Sequence, residues 1–419
     1  MRSSSTCPRI LLATLAFLGA SACGEDTLGT TDSAADSVAP DTLDADSADT
    51  APETTPDVAP ETLADTTLPP DTTPVDTVEV EAAPTCVQRP VPFPAPTVTE
   101  GWNHLASDQT TALGGPNHRG QDVIIEVGQA QVLVAKFGYA FVDKDMTCED
   151  VDIWIQREVP CGAWEYMGEA RTSDNPDDSL DCNNFGTTYG IEDDGGRIFF
   201  EIPDAQAFPV GRYPVRMVLK GDLSMASFDL VVVAPGTQAI LTDVDGTLTT
   251  SDNELITEVG LSIFNETYQQ EMYPDADTMI RSWYDKGYLV IYMSGRPDLL
   301  RRMSERWLEE RFTPGPLHLT DTNAQVLPNN DGVGVYKREF IAYLRAQGID
   351  IVAAYGNATT DIWAYEQGGV PKNVTWIIGK HAGEENTNAL TGSYTSHLPT
   401  AAAFPEATIK APPALYGWW

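Results

Sequence analysis

The stretch Ile240 to Thr250 reads Ile-Leu-Thr-Asp-Val-Asp-Gly-Thr-Leu-Thr-Thr and constrains the fold more than any other in the chain. An apolar run ending in Ile240 and Leu241 predicts a buried strand, and Gly246 permits the sharp turn by which a strand leaves its sheet. Asp243 and Asp245 then project at the carboxyl edge, where open α/β sheets hold their ligands. Two aspartates at i and i+2 around such a turn suit phosphoryl transfer: one carboxylate attacks phosphorus and the other gives a proton to the leaving oxygen. Asp-Gly is also a common turn pair, so this segment alone leaves an ordinary chain reversal open.

The sequence beyond about residue 237 narrows that choice. Predicted strands at 239–242, 288–293, 316–319, 351–355 and 374–378 alternate with helical patterns near 276–286, 298–311, 335–347 and 360–367. That order belongs to a parallel sheet wound on both faces. Its strand ends carry chemistry: Ser294-Gly295-Arg296-Pro297 after the second strand, Gly356-Asn357-Ala358-Thr359-Thr360-Asp361 after the fourth, and Lys337 between the third and fourth. Taken singly, Ser294 reads as a helix cap and Lys337 as an exposed cation. Together, all these segments can converge at one edge of the sheet.

Upstream, residues 86–236 predict an immunoglobulin-like β-sandwich. Seven short β-branched and aromatic runs, at 123–127, 132–141, 151–155, 164–167, 198–202, 213–219 and 226–233, are separated by turn residues. Asp143, Asp145, Asp193 and Asp194 lie in its loops and read as solvated turn residues rather than calcium ligands.

The first 85 residues are not globular. Arg2 and Arg9 precede an apolar run, Ile10 to Ala20, which is too short to span a bilayer and has the build of an export signal over residues 1–23. Residues 24–85 are dominated by Asp, Glu, Thr, Ala, Pro and Ser and contain no Lys or Arg, a composition that cannot form a core and repels itself. Such a tether has a root-mean-square reach of roughly 40 Å or more. It carries much of the net charge of −37 over 419 residues, and so few cations argue against nucleic acid as a partner. Cys86, Cys148, Cys161 and Cys182 are an even set consistent with two disulfides in an oxidising compartment. The competing zinc reading lacks any Cys-x-x-Cys spacing, and the five histidines show no ligand spacing either. Trp418 and Trp419 read as packing residues before lipid contacts.

Two resemblances sharpen this reading. Ala20-Ser21-Ala22-Cys23-Gly24 resembles the lipobox of bacterial lipoproteins, which implies lipid attachment at Cys23, export and anchoring to a bacterial membrane. The alternative is cleavage at the same Ala-x-Ala site with a soluble periplasmic or secreted product. The segments around Asp243, Ser294, Lys337 and Asp361 resemble the motifs of the haloacid dehalogenase superfamily of phosphohydrolases. That resemblance implies Asp243 as nucleophile and Asp245 as general acid and base. It implies Ser294, Gly295, Lys337 and Thr247 around the substrate phosphate, and Mg²⁺ held by Asp243, Asp245, Asn357 and Asp361.

A narrower likeness runs through Ile198-Phe199-Phe200-Glu201-Ile202-Pro203, Gly287 to Asp298 and Tyr355 to Tyr365. These segments resemble the C-terminal part of the membrane-associated phosphatidylinositol transfer proteins, where a β domain leads into the LNS2 domain shared with lipin phosphatidate phosphatases. Lipins hydrolyse phosphatidate with Mg²⁺, whereas the transfer proteins lack the nucleophile and are thought to bind phosphatidate; this chain keeps Asp243. About fifty residues separate Asp245 from Ser294 and about forty separate Ser294 from Lys337, largely used by predicted elements. No large cap is therefore expected, and an open site favours a substrate presented by a surface.

The expectation is a β-sandwich at 86–236, an α/β haloacid-dehalogenase-type Rossmannoid domain at 237–385 and a tail at 386–419. Its function would be Mg²⁺-dependent hydrolysis of phosphatidate or a related lipid phosphomonoester. The rivals are a non-catalytic phosphatidate-binding module and an exported phosphatase for soluble phosphomonoesters.

Overall fold

A computed structural model describes residues 91–157, 162–175, 182, 186–250, 270–322 and 325–413. The export signal, Cys23, the tether, Cys86, Cys161, Trp418 and Trp419 lie outside the described residues.

The β-sandwich forms because its strands alternate side chains between a buried face and an outer one. Five strands hydrogen-bond in the spatial order 123–126, 225–233, 211–219, 150–156 and 164–171, and three more in the order 119–121, 132–136 and 197–201. Leu133, Ala135, Ile153, Ile155, Val215, Met217, Phe228 and Leu230 fill the space between. One pairing departs from the antiparallel immunoglobulin pattern: Val123–Glu126 runs parallel to Leu230–Val233. Cys148 and Cys182 form a disulfide with Cα atoms 5.6 Å apart.

The loop aspartates carry partners that the sequence did not announce, although Asp194 remains 45% exposed and Asp143 lies in a turn. Asp143 pairs with Arg119 at 2.7 Å, and Asp145 and Asp194 pair with Lys136 at 3.2 and 2.8 Å. Asp193 accepts a hydrogen bond from the Ser173 hydroxyl at 2.6 Å.

From Gln238 the chain builds a sheet of six parallel strands in the order 317–320, 289–297, 238–243, 350–356, 375–378 and 388–390. Helices 276–284 and 301–311 and, on other connections, helices 335–346 and 359–367 cover it. The central strand is buried from Ala239 to Asp243, hence the apolar run Ala239-Ile240-Leu241 at its centre. Among the described residues there is no cap domain, and no helix is long and apolar enough to cross a membrane.

The sixth strand corrects the expected domain end. Asn388–Leu390 adds to the sheet edge, and Tyr394, Ala401 and Ala407 are buried in the same core as Trp283 and Tyr355. Residues 386–413 therefore belong to the α/β domain. Their packing stabilises it by burial, at about 25 cal/mol per Å² of apolar surface removed from water.

The two domains share a core rather than touching at a rim. Ile124, Val231 and Val233 of the sandwich pack with Leu241, Ile291 and Phe340 of the α/β domain. Asp122 accepts hydrogen bonds from Arg301 at 2.7 Å and from the Leu317 amide at 2.8 Å, with both charged side chains buried.

Candidate active site

The site grows out of the ends of three adjacent strands. The strand Gln238–Asp243 delivers Asp243, and the chain then reverses at Gly246, whose φ of 68° favours glycine over residues with a Cβ. The neighbouring strand Leu289–Pro297 brings Ser294, Gly295 and Arg296, and Asp350–Gly356 leads to Asn357. Gly356 is required for a different reason: a Cβ there would lie 2.6 Å from the Cβ of Asp361, which folds back over it. Lys337 enters from the first turn of helix Val335–Ala346. These elements line an open cavity of about 560 Å³ whose walls include Asp243, Asp245, Gly295, Lys337, Asn357 and Asp361, together with Lys380 and His381.

Two charge systems share this floor. Lys337 Nζ donates to Asp243 Oδ1 and to Asp361 Oδ1, each at 2.6 Å. Asp361 Oδ2 accepts the amide hydrogens of Asn357 and Ala358 at 2.9 and 3.0 Å. The Thr247 hydroxyl lies 3.0 Å from Asp243 Oδ2 and 3.2 Å from Asn357 Oδ1. Separately, Arg296 grips Asp245, with Nη2 2.8 Å from Oδ1 and Nε 2.9 Å from Oδ2, while the Ser294 hydroxyl donates to Oδ2 at 2.8 Å.

The consequences for protonation diverge. Burial pushes the Asp243 carboxyl up to about 7, with Asp361 and Asp245 adding to the rise against the opposing pull of Lys337. Burial also acts on Asp245, but Arg296 and Ser294 outweigh it and hold that carboxyl below its ordinary value. Burial alone would lower Lys337, yet Asp243 and Asp361 more than offset it and keep the ammonium protonated. Three carboxylates thus meet two cations, an arrangement with room for one more positive charge.

The donor set available to such a charge is oxygen only, which suits Mg²⁺. Asp243 Oδ2 and Asn357 Oδ1 flank the same hydroxyl and belong to cavity-lining residues. Asp361 is differently employed, since both of its oxygens are engaged by Lys337 and by backbone amides.

The structure brings together every site residue expected within the α/β domain, but distributes their tasks differently. Gly295 and Lys337 line the cavity. Ser294 and Thr247 are fully buried, their hydroxyls turned to Asp245 and to Asp243 with Asn357 rather than set on the cavity wall. Arg296 had no assigned role in the sequence reading, although it lies within a quoted motif; nothing local announces that it reaches Asp245. His381, likewise unassigned, lines the cavity, whereas His318 and His397 bond Tyr336 and Tyr355 inside the fold at 2.7 and 3.0 Å.

Fold and site together define a haloacid-dehalogenase-type α/β domain joined to a β-sandwich. Residues 240–379 match the family described as PITM 1-3, LNS2 domain. Residues 116–180 and 183–232 match PITM 1-3, beta-sandwich domain. More particularly, then, the chain carries an LNS2 domain preceded by this β-sandwich domain. Protein retinal degeneration B of Drosophila melanogaster is 30% identical over 287 residues, covering 67% of this chain and 20% of that protein. Membrane-associated phosphatidylinositol transfer protein 1 of Homo sapiens is 28% identical over 286 residues, covering 67% and 20%. For protein 3 of Mus musculus the values are 29% over 287 residues, 67% and 26%. The chain therefore spans about a fifth to a quarter of the length of these relatives.

Proposed function

We propose that this protein is a Mg²⁺-dependent phosphomonoester hydrolase acting on phosphatidate or a related lipid phosphate. The observation that carries the reading is Asp243 itself: a carboxylate at the floor of an open cavity, oriented by Lys337 and Thr247, with a second carboxylate two residues on. Asp243 attacks phosphorus, the bond to the leaving oxygen breaks, and Asp245 supplies the proton that oxygen takes up. Water then attacks the phosphorus of the aspartyl phosphate, Asp245 takes its proton, and inorganic phosphate leaves as the Asp243 carboxylate re-forms. Mg²⁺, held by Asp243, Asn357 and the Asp245 carbonyl, would neutralise charge on the phosphoryl oxygens. Lys337 contributes a fixed ammonium beside the nucleophile, which reduces its repulsion with a phosphate dianion.

A lipid substrate is favoured by the absence of a cap among the described residues and by the LNS2 match. The lipobox at Cys23 would place the site at a bacterial membrane, with residues 24–85 as its tether. Phosphate release from phosphatidate vesicles, compared with soluble phosphomonoesters and with and without Mg²⁺, tests this. Mg²⁺-dependent release from vesicles supports the reading, and release from soluble esters alone would leave an exported general phosphatase.

One observation favours the second reading, phosphatidate binding without turnover. Arg296 and Ser294 hold Asp245 in its anionic form, suited to accept a proton and poorly suited to give one. Binding of phosphatidate vesicles with no phosphate released would select it.

A further inference from the structure

Asp298 is one of the residues near the catalytic edge that the sandwich holds, alongside Asp321, whose carboxylate accepts from the Glu192 amide at 3.3 Å and whose carbonyl accepts from Arg197 at 3.4 Å. Asp298 lies two positions beyond Arg296, at the start of the 3-10 turn Asp298–Leu300. Its Oδ1 is 3.0 Å from Arg119 Nη2 and its Oδ2 is 3.8 Å from Arg197 Nη2, both arginines belonging to sandwich strands and both buried. Arg119 is itself held by Asp143, and Arg197 by Asp194 at 2.7 Å. Asn117 donates to the Leu299 carbonyl at 3.4 Å, and Asp122 takes the next cation, Arg301, at 2.7 Å. Three sandwich side chains thus grip this turn, and a fourth, Asp122, holds the first residue of the helix that follows it.

That turn follows an irregularity in the sheet. Between Met293 and Pro297 the strand advances four residues while its partner advances two, from His318 to Thr320. The extra residues form a bulge, a feature that re-aims side chains next to sites. Within it the Arg296 amide donates to Ser294 Oγ at 3.1 Å, the Thr320 hydroxyl donates to the Arg296 carbonyl at 3.0 Å, and the guanidinium reaches Asp245. The bulge carries Arg296, whose guanidinium is also held by the Ser304 hydroxyl at 2.9 Å, and Asp298 is the first side chain beyond it that the sandwich holds among the described residues. Buried ion pairs contribute little net stability over apolar replacements but fix register and orientation when they act at all.

We infer that Asp298 and Arg119 are positioning residues for the Arg296 and Asp245 pair, so that the β-sandwich is a working part of the active site. Asp298 touches neither substrate nor reacting atoms. It acts by fixing the far end of the bulge that aims Arg296. This inference rests on the phosphatase reading for its kinetic consequence but not for its structural one.

The test therefore has two arms, both on the full chain, comparing wild type with Asp298→Asn and Arg119→Gln. Gln347→Ala, which removes the remote interdomain bond from the Glu126 amide to Gln347 Oε1, is the control. In the first arm, arginine-selective ¹⁵N spectra follow hydrogen exchange at the Arg296 Nε–H, assigned by its loss in Arg296→Lys. Exchange should quicken at least about tenfold in Asp298→Asn and Arg119→Gln beyond any change at buried backbone amides of the α/β domain, which report the global loss of stability expected when a buried ion pair is broken. Unchanged protection of that hydrogen would overturn the inference whether or not the protein is an enzyme. In the second arm, kcat on a phosphomonoester should fall by about ten- to a hundredfold with KM altered less than about twofold, as expected for misplacement of a catalytic group. The same Asp298→Asn change should cost little once Arg296→Lys is already present, because its route to Asp245 is gone. Independent, multiplying losses would contradict it. A wild type that releases no phosphate would sink the phosphatase reading alone and leave the first arm to decide.

Discussion

Arg296 and Asp245 are 51 residues apart in sequence and share a bidentate contact, with Nη2 2.8 Å from Oδ1 and Nε 2.9 Å from Oδ2. A guanidinium matched in this way to a carboxylate fixes its orientation as well as its charge. Asp245 therefore faces the cavity from a defined direction, while Asp243 answers to a different cation, Lys337. The two carboxylates of one turn feel each other's charge but are shifted in opposite directions, Asp243 upward by burial and Asp245 downward by Arg296 and Ser294.

Replacing Asp243 should change stability with a definite pH dependence. Its folded value of about 7 exceeds the ordinary 3.8, so without metal the folded state holds a proton the unfolded chain has already released. Stability from this group is complete below about pH 4 and is lost as pH rises through 7. Asp243→Asn in Mg²⁺-free buffer should accordingly raise the melting temperature more at pH 8 than at pH 4.5. Thermal melts across that range check it, and an equal shift at both ends would contradict the assignment.

Asp361 separates two accounts of the metal site. A direct ligand would, on substitution by alanine, lose activity that high Mg²⁺ restores in part. The observed bonds to Lys337 and to the amides of Asn357 and Ala358 predict otherwise. Asp361→Ala should lose activity without rescue at raised Mg²⁺ and should destabilise the fold by roughly 3 kcal/mol, since a buried partner is removed from a buried cation. Mg²⁺ titration of the variant, together with denaturant melts, tests both halves.

Much of this site was legible because buried parallel strands leave an unmistakable trace. The five apolar runs from Ala239 to Ile378 announced their strands, and the polar residues directly after them announced the edge. Sequence could not show which of those residues bond each other. Asp361 and Lys337 are 24 residues apart and Arg296 and Asp245 51 apart, separations that no local pattern encodes. The edge strand Asn388–Leu390 escaped notice because three residues carry no periodicity. The sandwich aspartates read as turn residues because their cations, Arg119 and Lys136, stand on other strands.

The domain junction should behave as core. Asp122→Asn preserves volume and leaves the buried Arg301 with Glu305 at 2.7 Å as its remaining carboxylate partner, so it should cost about 2 kcal/mol. Asp122→Leu combined with Arg301→Met should cost distinctly less than the two single losses added together. Denaturant unfolding of Asp122→Asn, Asp122→Leu, Arg301→Met and the double variant measures this, and simple additivity would mean the pair does not interact.

The proposed lipid anchor would rest on the Cys23 thiol. Cys23→Ser should abolish labelling of the protein by a fatty acid and release it from the membrane fraction. A wild type that takes up no label would leave the plain export signal standing.

The central claim is that Asp243 carries the phosphoryl group between its two owners. The direct measurement is an acid quench during turnover of phosphatidate labelled in its phosphate, followed by mapping of any label on the protein. The account predicts label on the peptide containing Asp243, stable in acid and lost in alkali, and absent from Asp243→Asn. Steady phosphate release with no labelled protein, or label that persists in Asp243→Asn, would contradict it.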